Sequence, residues 1–402
     1  MRTYTELARH REFRALWTST ALGVAASTMS SLSLATLVHA QTGSALLTAL
    51  TMFGPSLAQV VGALTLMSAA DASPPRRTLS ALSAVTALVL VLQAALDLPP
   101  AARIGLVLVT AYVLAIGAGV RWGLLAAVLP RDAFALGRSA MNTSVGVMQI
   151  VGFATGGILL HLMSVREIFV LAAGIACLSV PVLWRGLEER EPRRVARPGL
   201  RETWRGNRLL LRQPSTRPLL LALCVPNGLV VGCEALFVPY AGDSAAPLFV
   251  AAAVGMLTGD IVVGRLLSVS GRRRAATWLR FLLAVPFLAF ALHPGVPVAA
   301  LLVTVACVGY AASLAQQELL VSLTPVELSG QVLGVESSAR MTCQGLGALL
   351  AGAVADAMDT GYTMALLAVA SLAASAALTP ALRRAAARVA GADVGPVSSA
   401  AR

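Results

Sequence analysis

Read along its length, the chain alternates twelve long apolar stretches with short polar breaks: 16–40, 45–69, 78–97, 104–129, 139–163, 167–184, 218–241, 246–268, 276–293, 297–323, 331–357 and 361–380. A bilayer core of about 30 Å needs about 20 apolar residues in helical form. These stretches have that length and are continuously apolar, whereas barrel strands alternate over about 10 residues. Helices also satisfy their own backbone groups in lipid. Alanine runs such as Ala251–Ala253 and Ala385–Ala387 favour the same element. The pattern predicts an all-α integral membrane protein with twelve transmembrane helices. The first fourteen residues, MRTYTELARHREFR, are polar, and the apolar run after them is too long for a cleaved signal. An uncleaved signal-anchor is expected.

Composition agrees. Of the 402 residues 57% are hydrophobic and 12% charged, with a mean hydropathy of +0.78, against about 25% charged in an average soluble domain. Soluble, disordered and disulfide-rich secreted classes are excluded. The net charge of +12 comes from 31 basic residues, all of them Arg. With both termini cytoplasmic, the inner segments hold Arg2, Arg9, Arg11, Arg14, Arg76, Arg77, Arg131, Arg138 and Arg272–Arg274, and the stretch 185–217 adds ten more. The outer loops hold Arg103 and Arg166 beside Asp97, Glu167, Asp243 and Asp359. This is the positive-inside pattern. The charge therefore records topology and contact with anionic lipid rather than nucleic-acid binding. The five cysteines lie in apolar spans without a CxxC pair, and His10, His39, His161 and His293 are scattered, so neither disulfides nor a metal site is expected. An all-arginine basic set points to a GC-rich bacterial source, hence the inner membrane.

Residues 185–217 form the longest polar stretch, with ten Arg, four Glu and three Pro. They divide the chain into an N-terminal six-helix bundle (1–184), a cytoplasmic linker (185–217) and a C-terminal bundle with a short tail (218–402). An offset of 195 positions aligns Pro130 with Pro325, Asp132 with Glu327, Gln149 with Gln344, Gly152 with Gly347 and Gly157 with Gly352. Two pseudo-symmetric bundles follow, and parallel repeats of this kind place a transport site at their interface.

Several segments resemble the major facilitator superfamily, and within it bacterial exporters of the enterobactin-exporter and multidrug-efflux kind. The opening REFRALW and TGSALL after span 1 are similar to that group's start. DASPPRR (Asp71 to Arg77) resembles the superfamily's Gly-x-x-x-Asp-Arg-x-x-Arg-Arg loop, with Met67 and Ala72 departing from it. GFATGG (Gly152 to Gly157) is similar to the antiporter motif Gly-Pro-x-x-Gly-Gly, with Phe153 for proline. Many relatives carry an acid at the place of Ser27. The resemblance implies the major facilitator fold with spans 1, 4, 7 and 10 lining a central cavity. It also implies that Asp71 latches the outward-open state against span 11 and that Gly152, Gly156 and Gly157 sit at a moving interface. As a plain residue reading, Asp71 is a solvated loop acid, Arg76 and Arg77 are topogenic, and the glycine pairs allow close helix packing.

An ionisable group at mid-bilayer costs about 2.5–3.5 kcal/mol, so each one calls for a partner or a watery cavity. Glu234, about 24 Å along span 7 at 1.5 Å per residue, has no cation near it in sequence. It either carries a proton or binds a cationic substrate, or it makes a structural hydrogen bond. Asp260, on a span expected not to line the cavity, either takes a similar role or partners Arg265. Arg121 in span 4 suits an anionic substrate or a relay to Glu318 in span 10, or the two form a structural pair. Gln316, Gln317 and Ser27 complete the cavity candidates. Glu336 and Arg340, four apart, can pair on one helix face as a structural or gating pair.

No GxxxxGK[ST] loop occurs, so ATP is not the expected energy source and no cofactor is expected. The leading expectation is a monomeric secondary exporter of a small amphipathic molecule (drug, natural product or siderophore), driven by proton antiport through alternating access. A metabolite importer of the same fold and a non-transporting sensor or immunity protein are the alternatives. A membrane enzyme would need clustered catalytic groups that the sequence lacks.

Overall fold

Apolar residues that cannot reach water drive each stretch into a helix, and local chemistry sets the ends. The computed structural model describes residues 4–71, 74–191, 216–324 and 329–392. Its long helices are α1 (Arg11–Thr42), α2 (Ala45–Asp71), α3 (Pro75–Ala95), α4 (Pro100–Val128), α5 (Arg131–Leu162), α6 (Val165–Gly186), α7 (Arg217–Ala235), α8 (Ala246–Ile261), α9 (Val269–Leu282), α10 (Val296–Val308, resuming as Ala312–Ser322), α11 (Ser329–Ala355) and α12 (Thr360–Ala392). Prolines occupy the first turns of α3, α4, α7 and α8, where the missing N–H costs nothing. Gly43 ends α1 at φ 65°, a left-handed cap that bonds back to the His39 carbonyl. Ser164 and Glu167 form a reciprocal capping box at the start of α6.

Eleven of these helical segments are long and apolar enough to cross a membrane. The twelfth, α11, has 27 residues but carries Glu336 and Arg340 in its first half. The predicted spans survive with two kinds of correction. First, helices outrun the apolar runs where polar turns continue beyond lipid: α12 reaches Ala392 rather than 380, carrying Arg383, Arg384 and Arg388. Second, four expected continuous spans are interrupted, the first of them α7, which stops at Ala235 and resumes at Phe237–Ala241. A π turn at Val262–Leu266 extends α8, a 3₁₀ segment at Val285–Leu292 follows α9, and a 3₁₀ turn at Gly309–Ala311 splits α10. Most of the expected linker, residues 192–215, lies outside the described residues.

The two sets of six helices repeat the same packing. In the first, α1 packs on α5 and α6, α2 on α4, and α3 on α6; in the second, α7 packs on α11 and α12, α8 on α10, and α12 on the 3₁₀ continuation of α9. Glycines in corresponding helices of the two halves occupy equivalent contacts, Gly152 and Gly347 at the offset of 195 and Gly62 and Gly255 at 193. Gly152 lies against Thr28 of α1, and Gly347 against Gly228 of α7. Gly62 faces the Tyr112 carbonyl between α2 and α4, as Gly255 faces the Thr304 carbonyl between α8 and α10. In lipid, where no hydrophobic force drives helices together, small residues at such crossings allow the close approach that supplies packing energy.

The halves meet along two equivalent seams, α2 with α11 and α5 with α8. The named contacts fall in the helix halves remote from the chain termini. Gly352 abuts Ala45 and Leu46, Gly345 abuts Leu57, and Gly157 abuts Ala246. Phe153 stacks on Phe249 with centroids 4.7 Å apart. At the same end, Asp356 accepts hydrogen bonds from Ser44 Oγ (2.8 Å) and the Ala45 amide (2.6 Å), capping α2 from the opposite half.

Candidate functional site

Beyond that seal the halves part and enclose a cavity of about 870 Å³, lined by both. The wall from the first half is rich in hydroxyls and amides: Ser27 and Ser31 of α1, Gln59 of α2, Thr110 of α4, and Arg138 and Gln149 of α5. The opposing wall offers Asn227 and Glu234 of α7, Asp260 of α8, Tyr310 and Gln317 of α10, and Arg340 and Gln344 of α11. Gln149 and Gln344, matched by the internal repeat, both face the cavity. The surface is mixed, with apolar patches from Phe53, Met52, Phe249 and Met256 between the polar groups.

Glu234 sits where α7 breaks. The chain leaves the helix at Leu236 and resumes at Phe237–Ala241. Glu234 is 7% exposed. Oε1 accepts a hydrogen bond from the Tyr310 hydroxyl at 2.8 Å and is approached by Cys307 Sγ at 3.6 Å. Tyr310 lies in the 3₁₀ turn that splits α10, beside Gly309, whose missing side chain lets the turn press on the Leu279 carbonyl and the Leu283 amide of α9. No ion pair involves Glu234 among the described residues. A buried carboxylate held by neutral donors alone is able to exchange a proton or to meet a cation.

Asp260 is the second acid of the wall, which corrects the expectation that α8 does not line the cavity. The π turn begins two residues after it, and π turns recur at functional sites. It makes no hydrogen bond or ion pair among the described residues, so the expected partnership with Arg265 does not form. Three helix irregularities thus surround one wall: the break in α7, the 3₁₀ turn in α10 and the π turn in α8.

The expected α11 pair is present. Arg340 Nε lies 2.8 Å from Glu336 Oε1, and Gln317 Nε2 donates to Glu336 Oε2 at 3.2 Å. Glu336 is 1% exposed while Arg340 faces the cavity. Gln344 Nε2 donates to Asn227 Oδ1 at 2.7 Å, tying α11 to α7 beside it. Ser27 is on the opposite wall, its hydroxyl bonded to the Val24 carbonyl of its own helix.

Other candidates lie elsewhere. Glu318 pairs with Arg272 at 2.8 Å, at the terminal end of α10, and so is not the partner of Arg121. Arg121 does not line the cavity and makes no hydrogen bond or ion pair among the described residues. Gln316 points away from the cavity and is buried, its Nε2 without a partner. Arg76 and Arg77 hold Glu189 at 3.8 and 3.1 Å, and Arg76 lies 4.3 Å over the Trp184 ring, so both dock the end of α6. The Asp71 side chain lies outside the described residues. Gly152 and Gly156 are packed on Thr28 and Met29 of α1, and Gly157 forms part of the inter-half seal. Arg138, Tyr310, Asn227 and Gln344 were not singled out from sequence as site residues. An unexplained polar residue in the middle of an apolar span was the available signal for Tyr310 and Asn227.

Residues 16–342 match the family model of the Major Facilitator Superfamily. The chain belongs to the major facilitator superfamily. The match spans helices of both halves, and the superfamily is one of transporters, which accords with a cavity between two pseudo-symmetric bundles that is sealed at one end. Solved structures share the fold. A bacterial homolog of the human lysosomal transporter Spinster, in an inward-facing and occupied conformation, has 15% identity and a TM-score of 0.67 over 97% of this chain and 98% of that one. The nucleoside transporter NupG, as a point variant, has 11% identity and a TM-score of 0.73 over 92% and 99%. A POT family transporter in complex with 5-aminolevulinic acid has 10% identity and a TM-score of 0.72 over 93% and 96%. No curated protein sequence matches the chain.

Proposed function

We propose that this superfamily member is a proton-driven exporter of a small amphipathic organic molecule, set in a bacterial inner membrane with both termini in the cytoplasm. The observation that carries the reading is Glu234: a buried carboxylate on the cavity wall, held by Tyr310 and Cys307 and, among the described residues, by no cation. Arginine placement supports the sidedness. On that reading the sealed end faces outward and the cavity faces the cytoplasm.

The cycle follows from the geometry. A substrate enters from the cytoplasm or the inner leaflet and lies across apolar patches and hydroxyls of the first half. Glu234 and Asp260 offer acceptors for its donor or cationic groups. Rocking about the α2–α11 and α5–α8 seams closes the cytoplasmic mouth and opens the Phe153–Phe249 and Asp356 contacts. A proton arriving from outside occupies Glu234, weakens its hold on the substrate, and is released to the cytoplasm after the return. Differential affinity of proton and substrate for the two states couples the fluxes.

Everted membrane vesicles from an efflux-deficient host test this. They are energised to acidify the lumen and offered ethidium and a panel of toxic amphipathic compounds. The expected result is accumulation of at least one compound, abolished by nigericin and by Glu234→Gln. Accumulation in right-side-out vesicles instead would make the protein an importer. Full pH-driven accumulation by Glu234→Gln would move the proton to another group.

A further inference from the structure

Arginines gather in one further place, away from the transport cavity. Between the terminal ends of α9 and α12 is a pocket of about 540 Å³. Arg273, Arg274 and Thr277 of α9 and Thr379 and Arg383 of α12 give it a polar rim, and Trp278 stands at its edge. Neither helix contains an Asp or Glu. Among the described residues no carboxylate pairs with Arg273, Arg274 or Arg383, whereas the adjacent Arg272 is neutralised by Glu318 at 2.8 Å.

Two arginines at or beside the pocket have buried donors without acceptors. Arg273 Nε is buried without a hydrogen-bond partner. Two further turns along the same helix face, behind the pocket's Thr379 rather than in its lining, Arg280 is 3% exposed, yet only its Nη2 has a partner, donating to Thr379 Oγ1 at 3.2 Å. Its Nε and Nη1 have none. Guanidinium groups buried with unmet donors are costly, and an anion with several acceptor oxygens meets that need.

The position selects the anion. Arg273 lies about 6 Å and Arg280 about 16 Å along α9 from its start, at 1.5 Å per residue, so the cluster brackets the boundary between headgroups and hydrocarbon. Trp278 is 76% exposed, as an indole anchored at that boundary would be. Phe281 and Ala376 continue the pocket with apolar surface. A free inorganic anion uses only the arginines; a phospholipid uses the arginines, the threonine hydroxyls and the apolar floor together. We propose that the α9–α12 pocket binds the phosphate headgroup of an anionic phospholipid from the leaflet at the terminal end of the bundle. This does not depend on the substrate or on the direction of transport.

The test is native mass spectrometry of the full-length, delipidated protein in detergent, titrated with dioleoylphosphatidylglycerol, dioleoylphosphatidylcholine or inorganic phosphate. Retained phosphatidylglycerol adducts are expected, with little phosphatidylcholine and no displacement by excess phosphate. Arg273→Gln/Arg274→Gln/Arg383→Gln should lose about tenfold or more of that retention, since each basic group near an anionic lipid contributes, and the triple Lys variant should keep most of it. Equal retention of both lipids, unaltered retention in the Gln variant, or displacement by phosphate would each overturn the proposal. A photoactivatable phosphatidylglycerol on the wild-type protein gives an answer should the Gln variant not fold. Cross-links should map to peptides within 269–282 and 371–392, and cross-links confined to other helices would refute the site.

Discussion

Asp356→Ala removes the one carboxylate that, among the described residues, bridges the halves at the sealed end. Three donors converge on it: Ser44 Oγ at 2.8 Å, the Ala45 amide at 2.6 Å and the Leu46 amide at 3.4 Å. The last two are free amides of the first turn of α2, which a carboxylate satisfies while meeting the positive end of the helix dipole. Losing a helix cap costs about 0.5–2 kcal/mol, and bonds to a charged group about 1.5–3 kcal/mol. Asp356 is exposed, so water recovers part of this and about 1–2 kcal/mol is the appropriate figure. These bonds join the two halves, so opening that end requires breaking them. Their loss therefore moves the equilibrium away from the sealed state by about 5- to 30-fold. Spin labels carried as non-canonical residues at the exposed positions 40 and 357 report the distance across the seal by double electron–electron resonance. The variant should show a new, longer population, and Ser44→Ala a smaller one. A folded Asp356→Ala protein with an unchanged distance distribution would refute the role of this contact in closing the cavity.

Other consequences are equally direct. Gly347→Leu should lower the melting temperature strongly, because a side chain there runs into the Gly228 backbone of α7; overpacking costs about 1–3 kcal/mol. Gly174→Ala, where a Cβ meets nothing within 4 Å, should leave melting unchanged. Tyr310→Phe, which removes the 2.8 Å hydrogen bond to Glu234, should reduce transport about tenfold, by the worth of a hydrogen bond to a charged group, without loss of folded protein in size-exclusion chromatography. Asp359, in the loop before α12, is held below the usual carboxylate range by the Tyr362 amide and then by His293. Its contribution to stability is present above the unfolded carboxylate pKa and is lost as pH falls through the lowered folded value. Melting curves of Asp359→Asn should therefore fall below wild type at pH 7 and converge with it in strong acid.

The fold was legible because lipid imposes a simple rule on sequence. Length and unbroken apolarity marked the twelve spans, and the glycine and glutamine matches at an offset of 195 marked the repeat. Gln149 and Gln344 then proved to face the same cavity. Rotation about each helix axis was not legible, since packing sets it. Asp260 was assigned to a helix facing away from the cavity, yet it lies on the wall. Glu318 was set against Arg121, yet α9 and α10 meet so that Arg272 reaches it first. The breaks in α7, α8 and α10 each have a local breaker, Pro239, which cannot bond back to the Ala235 carbonyl, Gly264 inside the π turn and Gly309 in the 3₁₀ turn, but such residues are common in membrane helices and do not by themselves say which spans break. Arg280 shows the converse: an arginine inside span 9 was visible in the sequence, but its missing acceptors appear only once α12 is packed beside it.

The central claim is that protonation of Glu234 biases which end of the cavity is shut. Label pairs at the exposed positions 40 and 357, and at 77 and 274, read both ends of the protein in lipid nanodiscs without any substrate. Between pH 8 and pH 5 the wild-type protein should exchange population between the two closed states, and Glu234→Gln should hold one distribution throughout. A Glu234→Gln protein that keeps the full wild-type response to pH would contradict the account.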